Sequence, residues 1–69
     1  MRVNEVLARV DEECPVAIFA PDFFVQGMKK NVITTEDFTK RKLGDFIVFH
    51  LDGVVSSNGV GIAIECARV

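Results

Sequence analysis

The chain has 69 residues, of which 49% are hydrophobic, and a formal net charge of −2 at neutral pH. This length accommodates a single domain over residues 1–69 with one small core, as a whole protein or as a unit of a longer one. No run approaches the roughly 20 apolar residues of a membrane-spanning helix and no signal-peptide pattern opens the chain, so we expect a soluble, intracellular protein of the cytoplasm without a membrane partner.

The cysteines and the single histidine argue against metal, redox and catalytic sites. Cys14 and Cys66 lie far apart and lack the CxxC spacing of such sites, so we expect two buried free thiols. His50 alone cannot assemble a structural zinc site, and its apolar strand favours a hydrogen-bonded histidine in the core or at a barrel rim. We therefore predict no enzymatic activity, no cofactor, no metal and no small-molecule substrate.

The first ten residues allow two interpretations. Val3, Val6, Leu7 and Val10 fall at helical spacing, with Asn4 suited to be the N-cap. Alternatively, Val6, Ala8 and Val10 alternate with Leu7 and Arg9 as in a short strand. The residues alone leave this choice open.

Two short strands are predicted next, over 16–20 and 23–26. Pro15 and Pro21 bound the first, which is rich in β-branched and aromatic residues, and Pro21 also suits the first central position of a turn. Gly27 closes the second strand.

A short helical turn is predicted in the connection that follows. Thr34 or Thr35 is suited to cap it, two acidic residues come next, and a run of three basic residues lies near its end, an order that suits the helix dipole. Phe38 is expected to anchor this connection to the core, and Gly44 fits a helix stop.

The chain ends with strands predicted over 46–51 and 60–68. Asp52-Gly53 and Asn58-Gly59 between them both suit type I′ turns. Either Val54–Ser57 forms a short extra strand between two hairpins, or the whole connection is a loop.

Five segments together carry a family resemblance, namely Val6-Leu7-Ala8-Arg9-Val10-Asp11, Val16-Ala17-Ile18-Phe19-Ala20-Pro21-Asp22, Phe23-Phe24-Val25-Gln26, Leu43-Gly44-Asp45-Phe46-Ile47-Val48-Phe49 and Ile62 to Val69. In this order they resemble a divergent cold-shock domain, a small barrel of the OB class, over nearly the whole chain. The resemblance implies an all-β, five-stranded antiparallel barrel with a short helical turn before strand 4. It also favours a strand over residues 5–10, giving strands near 5–10, 16–20, 23–26, 46–51 and 60–68.

Departures from the family weaken the nucleic-acid site that the resemblance implies. Cold-shock domains stack bases on exposed aromatic residues inside a basic groove. The corresponding positions here are Arg9, Val16, Ile18, Phe24, Gln26 and Gly27, of which only Phe24 is aromatic. Cys14-Pro15 also replaces a Lys-Gly that keeps the family's strand open and positive. The resemblance thus implies a module of an RNA-regulatory protein that binds single-stranded RNA weakly. The expected contacts are stacking by Phe24, the guanidinium plane of Arg9, and phosphate contacts by Lys29, Lys30, Lys40, Arg41 and Lys42.

The alternative is a degenerate barrel that binds a protein partner instead of nucleic acid. Val16, Ile18 and Phe24 would then form an exposed apolar patch, which on a small domain marks an interface. An edge strand could add main-chain pairing to the partner. The negative net charge agrees with this alternative, because non-specific polyanion binding requires Lys and Arg near phosphate.

Overall fold

The computed structural model describes residues 1–57 and 59–68. Two β-hairpins lie side by side in one four-stranded mixed sheet of order β2-β1-β4-β3, and helical segments precede the first hairpin and connect the two. Both hairpins are antiparallel, whereas the central strands β1 and β4 run parallel. Along the chain the elements are α1 (Val3–Leu7), β1 (Pro15–Ala20), β2 (Phe23–Met28), α2 (Lys29–Val32), α3 (Glu36–Lys40), a 3-10 turn (Leu43–Asp45), β3 (Ile47–Ser56) and β4 (Gly59–Ala67).

The prediction of a β-rich small fold is confirmed, but the closed five-stranded antiparallel barrel is wrong. The sheet has four strands, β2 and β3 form its two edges, and the central pair is parallel. Closure would require the edge strands to pair with each other, and they are separated by the whole width of the sheet. The predicted strand over residues 5–10 is absent because α1 occupies that part of the chain.

Helix α1 forms because its apolar residues follow the helical spacing. Val3, Val6 and Leu7 are all buried, so the short helix places one apolar stripe against the core. At its start the backbone N–H of Arg2 donates to Glu5 Oε1 at 2.8 Å. The N–H of Val3 donates to the carbonyl oxygen of Phe46 at 3.0 Å, which ties α1 to the beginning of β3.

The four remaining predicted strands are confirmed, with two differences. β2 continues through Gly27 to Met28, so the predicted strand end at Gly27 is wrong. The second difference lies in the second hairpin. β3 is longer than expected and contains Asp52-Gly53, so the turn predicted there is wrong. Asp52 pairs with Ala63 and Gly53 with Ile62, and this pairing with β4 keeps both residues extended. The other predicted reversal includes Asn58, which lies outside the described residues.

The predicted helical turn before the second hairpin is confirmed as α3. Thr35 is its N-cap, since the Thr35 hydroxyl accepts a hydrogen bond from the backbone N–H of Phe38 at 3.2 Å. Phe38 is buried and anchors the connection, as expected. Lys42, with φ of 52°, reverses the chain after α3, so the stop comes before Gly44, which lies in the 3-10 turn.

The core lies on one side of the sheet only. α1, α2, α3 and the 3-10 turn each contribute buried apolar side chains that pack against the inward-facing residues of the central strands. The buried set is Val3, Val6, Leu7, Val16, Ile18, Val32, Phe38, Leu43, Phe46, Ile64 and Cys66. The opposite side of the sheet, here called the open face, carries none of these side chains. In the described part of the chain no helix has the length and apolarity needed to cross a membrane.

The central strands approach each other closely where β1 begins. A Cβ atom added at Gly61 of β4 would lie 2.5 Å from the carbonyl oxygen of Pro15. Both groups belong to the backbone, so neither can move aside without changing the pairing of β1 with β4. At Gly53, by contrast, an added Cβ would meet nothing within 4 Å.

We therefore predict that Gly61→Ala lowers the free energy of unfolding by about 1–3 kcal/mol, the usual cost of overpacking. Gly53→Ala is the matched control and should be neutral or slightly stabilising, because it only restricts the unfolded chain. Urea unfolding followed by circular dichroism measures both. Equal stability of the two variants would contradict the close approach of Gly61 to Pro15.

Candidate functional site

The strand register places the side chains of the open face in three rows across the sheet, because alternate residues of a strand point to the same side. Read from β2 to β3, the rows are Phe24, Phe19, Glu65 and His50; Gln26, Ala17, Ala63 and Asp52; and Met28, Pro15, Gly61 and Val54. The open face is defined by these twelve residues.

Small residues in the middle of the open face create a broad hollow. Ala17 and Gly61 form part of its floor, while Gln26, Met28 and Val54 stand at its sides. The hollow is open to solvent and has a volume of about 720 Å³. The small residues of β1 and β4 thus leave a shallow, solvent-open depression on this side of the sheet.

An aromatic pair stands at one end of the open face. The ring centroids of Phe19 and Phe24 are 4.8 Å apart and the rings are tilted by 37°. Phe19 is 42% exposed and Phe24 is 47% exposed, although aromatic rings usually contribute most when buried. Two large exposed rings next to a hollow are typical of an interaction surface.

Three ionisable residues lie between the aromatic pair and the β3 edge. His50 Nε2 and Asp52 Oδ2 are 2.9 Å apart, and His50 Nε2 is 4.0 Å from Glu65 Oε2. With Phe19 and Ala63 they line a second depression of about 230 Å³. The hydrogen bond and the charge of Asp52, with a smaller effect of Glu65, raise the pKa of His50 above 6.5. His50 is hydrogen-bonded, as expected, but it is exposed on an open sheet, so the expected position in the core or at a barrel rim is wrong.

Two of the three predicted partner-binding residues face the core. Val16 is 2% exposed and Ile18 is fully buried, because they share the inward face of the sheet with Ile62 and Ile64 of β4. The expectation that they form an exposed patch is therefore wrong. Phe24, the third residue, is exposed on the open face.

The basic residues predicted to contact RNA next to β2 are engaged with the segment before β1. Lys29 Nζ lies 3.2 Å from Glu12 Oε1 and donates to the carbonyl oxygen of Val10 at 2.8 Å. Lys30 Nζ lies 3.5 Å from Glu13 Oε1. These contacts connect the start of α2 to the segment that precedes β1.

The basic residues of α3 and its end lie on the helical side of the sheet. Lys40 pairs with Glu36, and Arg41 Nε is 3.6 Å from Asp37 Oδ1. The guanidinium of Arg41 also lies 4.4 Å from the ring centroid of Phe23. In residues 1–57 and 59–68, Arg9 and Lys42 form no ion pair, and both are exposed.

The structure does not bring the predicted stacking residue together with the predicted phosphate contacts of α3. Phe23 packs against the core cluster, whereas its neighbour Phe24 points to the opposite side of the sheet. Since Arg41 covers Phe23, the basic residues near it are separated from Phe24 by the sheet itself.

Sequence reasoning missed Phe19, Asp52 and Glu65 as site residues. Strand alternation was the available signal. It places Phe19 and its neighbour Ile18 on opposite faces of β1, and it places Glu65 and Ala63 on the same face of β4. No local pattern indicates that Asp52 joins them, since its position follows from the pairing of β3 with β4.

Within the described residues, no three His, Cys, Asp or Glu side chains are grouped so that they could hold a metal ion. Comparisons with protein-family models, with curated proteins and with solved structures find no match. The resemblance to a cold-shock domain stays an expectation from the sequence, and the site is interpreted from its geometry.

We predict that Ile18→Asp unfolds the domain. An unpaired carboxylate buried in the core costs about 3–5 kcal/mol, which matches the whole stability expected for a chain of this size. Phe24→Asp is the control and should stay folded, because its side chain reaches solvent. Circular dichroism and amide spectra distinguish the two outcomes, and a folded Ile18→Asp variant would reverse the assignment of the two faces.

We predict that Asp52→Asn lowers the pKa of His50 toward 6.5, measured by NMR titration of the imidazole protons. Glu65→Gln should lower this pKa less, because the Glu65 carboxylate is farther from Nε2. Since the pKa of His50 is raised on folding, its pairing with Asp52 stabilises the fold below pH 6.5, and this contribution is lost as the pH rises through the folded-state pKa. An unchanged titration in Asp52→Asn would contradict the 2.9 Å contact.

Proposed function

We propose that this chain is a non-enzymatic protein-interaction module, that the open face is its binding surface, and that its partner is a positively charged, partly apolar segment of another protein. The observation that carries the proposal is the exposed aromatic pair of Phe19 and Phe24 beside the central hollow, on the side of the sheet without helices.

The apolar part of the open face is suited to anchor a partner. Phe19, Phe24, Met28 and Val54 are all exposed on the open face; Met28 and Val54 line the hollow, and the two rings lie in the row at one end of the face. Contiguous apolar surface on a small domain typically marks a binding site, and buried aromatic anchors supply much of the free energy of association. Partner side chains entering the hollow would cover these four residues.

The charges of the open face favour a basic partner over a second copy of the chain. Asp52 and Glu65 lie on the face, and the twelve residues that define the face include no Lys or Arg. Two copies meeting face to face would oppose these carboxylates, which is unfavourable. A segment with Lys or Arg would complement them.

Weak binding of single-stranded RNA is the competing proposal, because Phe19 and Phe24 could stack a base. The same carboxylates disfavour phosphate at this face, and the basic residues of α3 lie across the sheet from Phe24. These charges make a protein segment the better occupant.

The free thiols of Cys14 and Cys66 agree with the reducing cytoplasm, where we propose that the module acts.

The test is a selection of short peptides from a random displayed library on the folded chain, followed by amide shift mapping of a synthesised binder. We expect shifts on the open face, and we expect Phe24→Ala to weaken binding about tenfold, as loss of an interface anchor does. Phe49→Ala is the matched control, since Phe49 is an exposed phenylalanine that is not among the twelve residues of the open face.

A parallel titration with an oligouridylate at low and high salt tests the competing proposal. Tight salt-sensitive RNA binding at Phe19 and Phe24, or the failure of every library peptide to bind the open face, would overturn the protein-interaction function. Binding of peptides to the helical side would overturn it as well. Concentration-dependent association of the chain alone through the open face would show that a second copy is the occupant instead.

A further inference from the structure

We propose that the partner segment carries an arginine whose guanidinium stacks on Phe19 and donates hydrogen bonds to Asp52 and Glu65. This inference rests on the proposed function and names the side chain that the acidic end of the open face recognises. The site is the smaller depression, lined by Phe19, His50, Asp52, Ala63 and Glu65.

The three recognising residues come from three neighbouring strands. Glu65 of β4 pairs with Phe19 of β1 on one side and with His50 of β3 on the other. Asp52 lies in the next row of β3, on the same face. Ala63 lies between them and leaves the depression its depth, because its side chain is a single methyl group. An aromatic ring and two carboxylates thus surround one small space.

The chemistry of this space matches a guanidinium. A cation over the face of an aromatic ring is attracted by the ring electrons, and a guanidinium can do this while its planar donors reach carboxylates at its edge. Charge-assisted hydrogen bonds to Asp52 and Glu65 would add to the stacking on Phe19. An ammonium group is compact and cannot stack as a plane while it reaches both carboxylates.

On its helical side the chain combines an aromatic ring and one carboxylate with an arginine. There Arg41 lies over the ring of Phe23 at 4.4 Å while its Nε is 3.6 Å from Asp37. On the open face, the aromatic ring and the carboxylates are present, but the described residues supply no Lys or Arg contact to Phe19, Asp52 or Glu65. Among the described residues the two carboxylates contact only the His50 imidazole, so an arginine of a partner would act here as Arg41 does on the helical side.

His50 makes this recognition dependent on pH. Its imidazole faces Asp52 on its own strand and Glu65 on β4, while the facing residue of β1, two strands away, is the uncharged Phe19. When protonated, His50 supplies a positive charge to both carboxylates and competes with the incoming arginine. Affinity for an arginine peptide should therefore fall as the pH falls through the pKa of His50.

The test starts from library peptides selected on the folded chain, which we expect to be enriched in arginine. Replacing that arginine by citrulline, its neutral isostere, should weaken binding to the wild-type chain about tenfold, the combined size of a cation–π contact and a charge-assisted hydrogen bond. In a variant carrying Asp52→Asn and Glu65→Gln, the two peptides should bind about equally. The preference for arginine should also shrink between about pH 8 and about pH 5.

A second double variant, Asp11→Asn with Glu36→Gln, removes the same charge away from the open face and should keep the preference for arginine. If binders map to the open face but citrulline is tolerated, or if the control variant loses the preference equally, the arginine inference is overturned and the proposed function stands. If no peptide binds the open face, both are overturned.

Discussion

The parallel pairing of β1 with β4 is the constraint on which the rest of the structure depends. It joins two hairpins that are otherwise local, and it brings Ile18 opposite Ile64, both fully buried under the helices. The same register fixes Phe19 beside Glu65 on the other side. The approach of Gly61 to the Pro15 carbonyl sets how closely the two strands fit. One pairing therefore determines both the core and the composition of the open face.

The strands, the Thr35 cap and the Phe38 anchor could be predicted from the sequence because each depends on residues close in the chain. The pairing of the strands could not be predicted from the sequence, because it depends on contacts between distant segments that periodicity does not specify. Near the N-terminus, Val6 belongs to a helical and to an alternating pattern, and the family resemblance favoured the wrong one. Burial of Val3 and Leu7 with it makes the helix the better solution.

The faces of β1 and β3 illustrate why the candidate site was harder to predict than the strands. In β1 both alternating sets are apolar, so the pattern separates Ile18 from Phe19 without indicating which one the helices cover. In β3 a bulge shifts the register between Val48 and His50, so that Val48 pairs with Cys66 in the core and His50 with Glu65 on the open face. Simple alternation places these two residues on one face, which favoured a core histidine.

The distribution of charge follows from the same one-sided architecture. On the helical side and at the entry to the sheet, the ion pairs Lys29–Glu12, Lys30–Glu13, Lys40–Glu36 and Arg41–Asp37 hold loops and short helices that have little apolar surface of their own. Exposed pairs of this kind contribute little to stability individually, but they occupy half of the eight basic residues. Asp52 and Glu65, on the face that no helix covers, have only His50 near them among the ionisable residues that the structure describes. Two carboxylates without a Lys or Arg partner among the described residues thus lie near the exposed aromatic pair, and this is the basis of the proposed cationic partner.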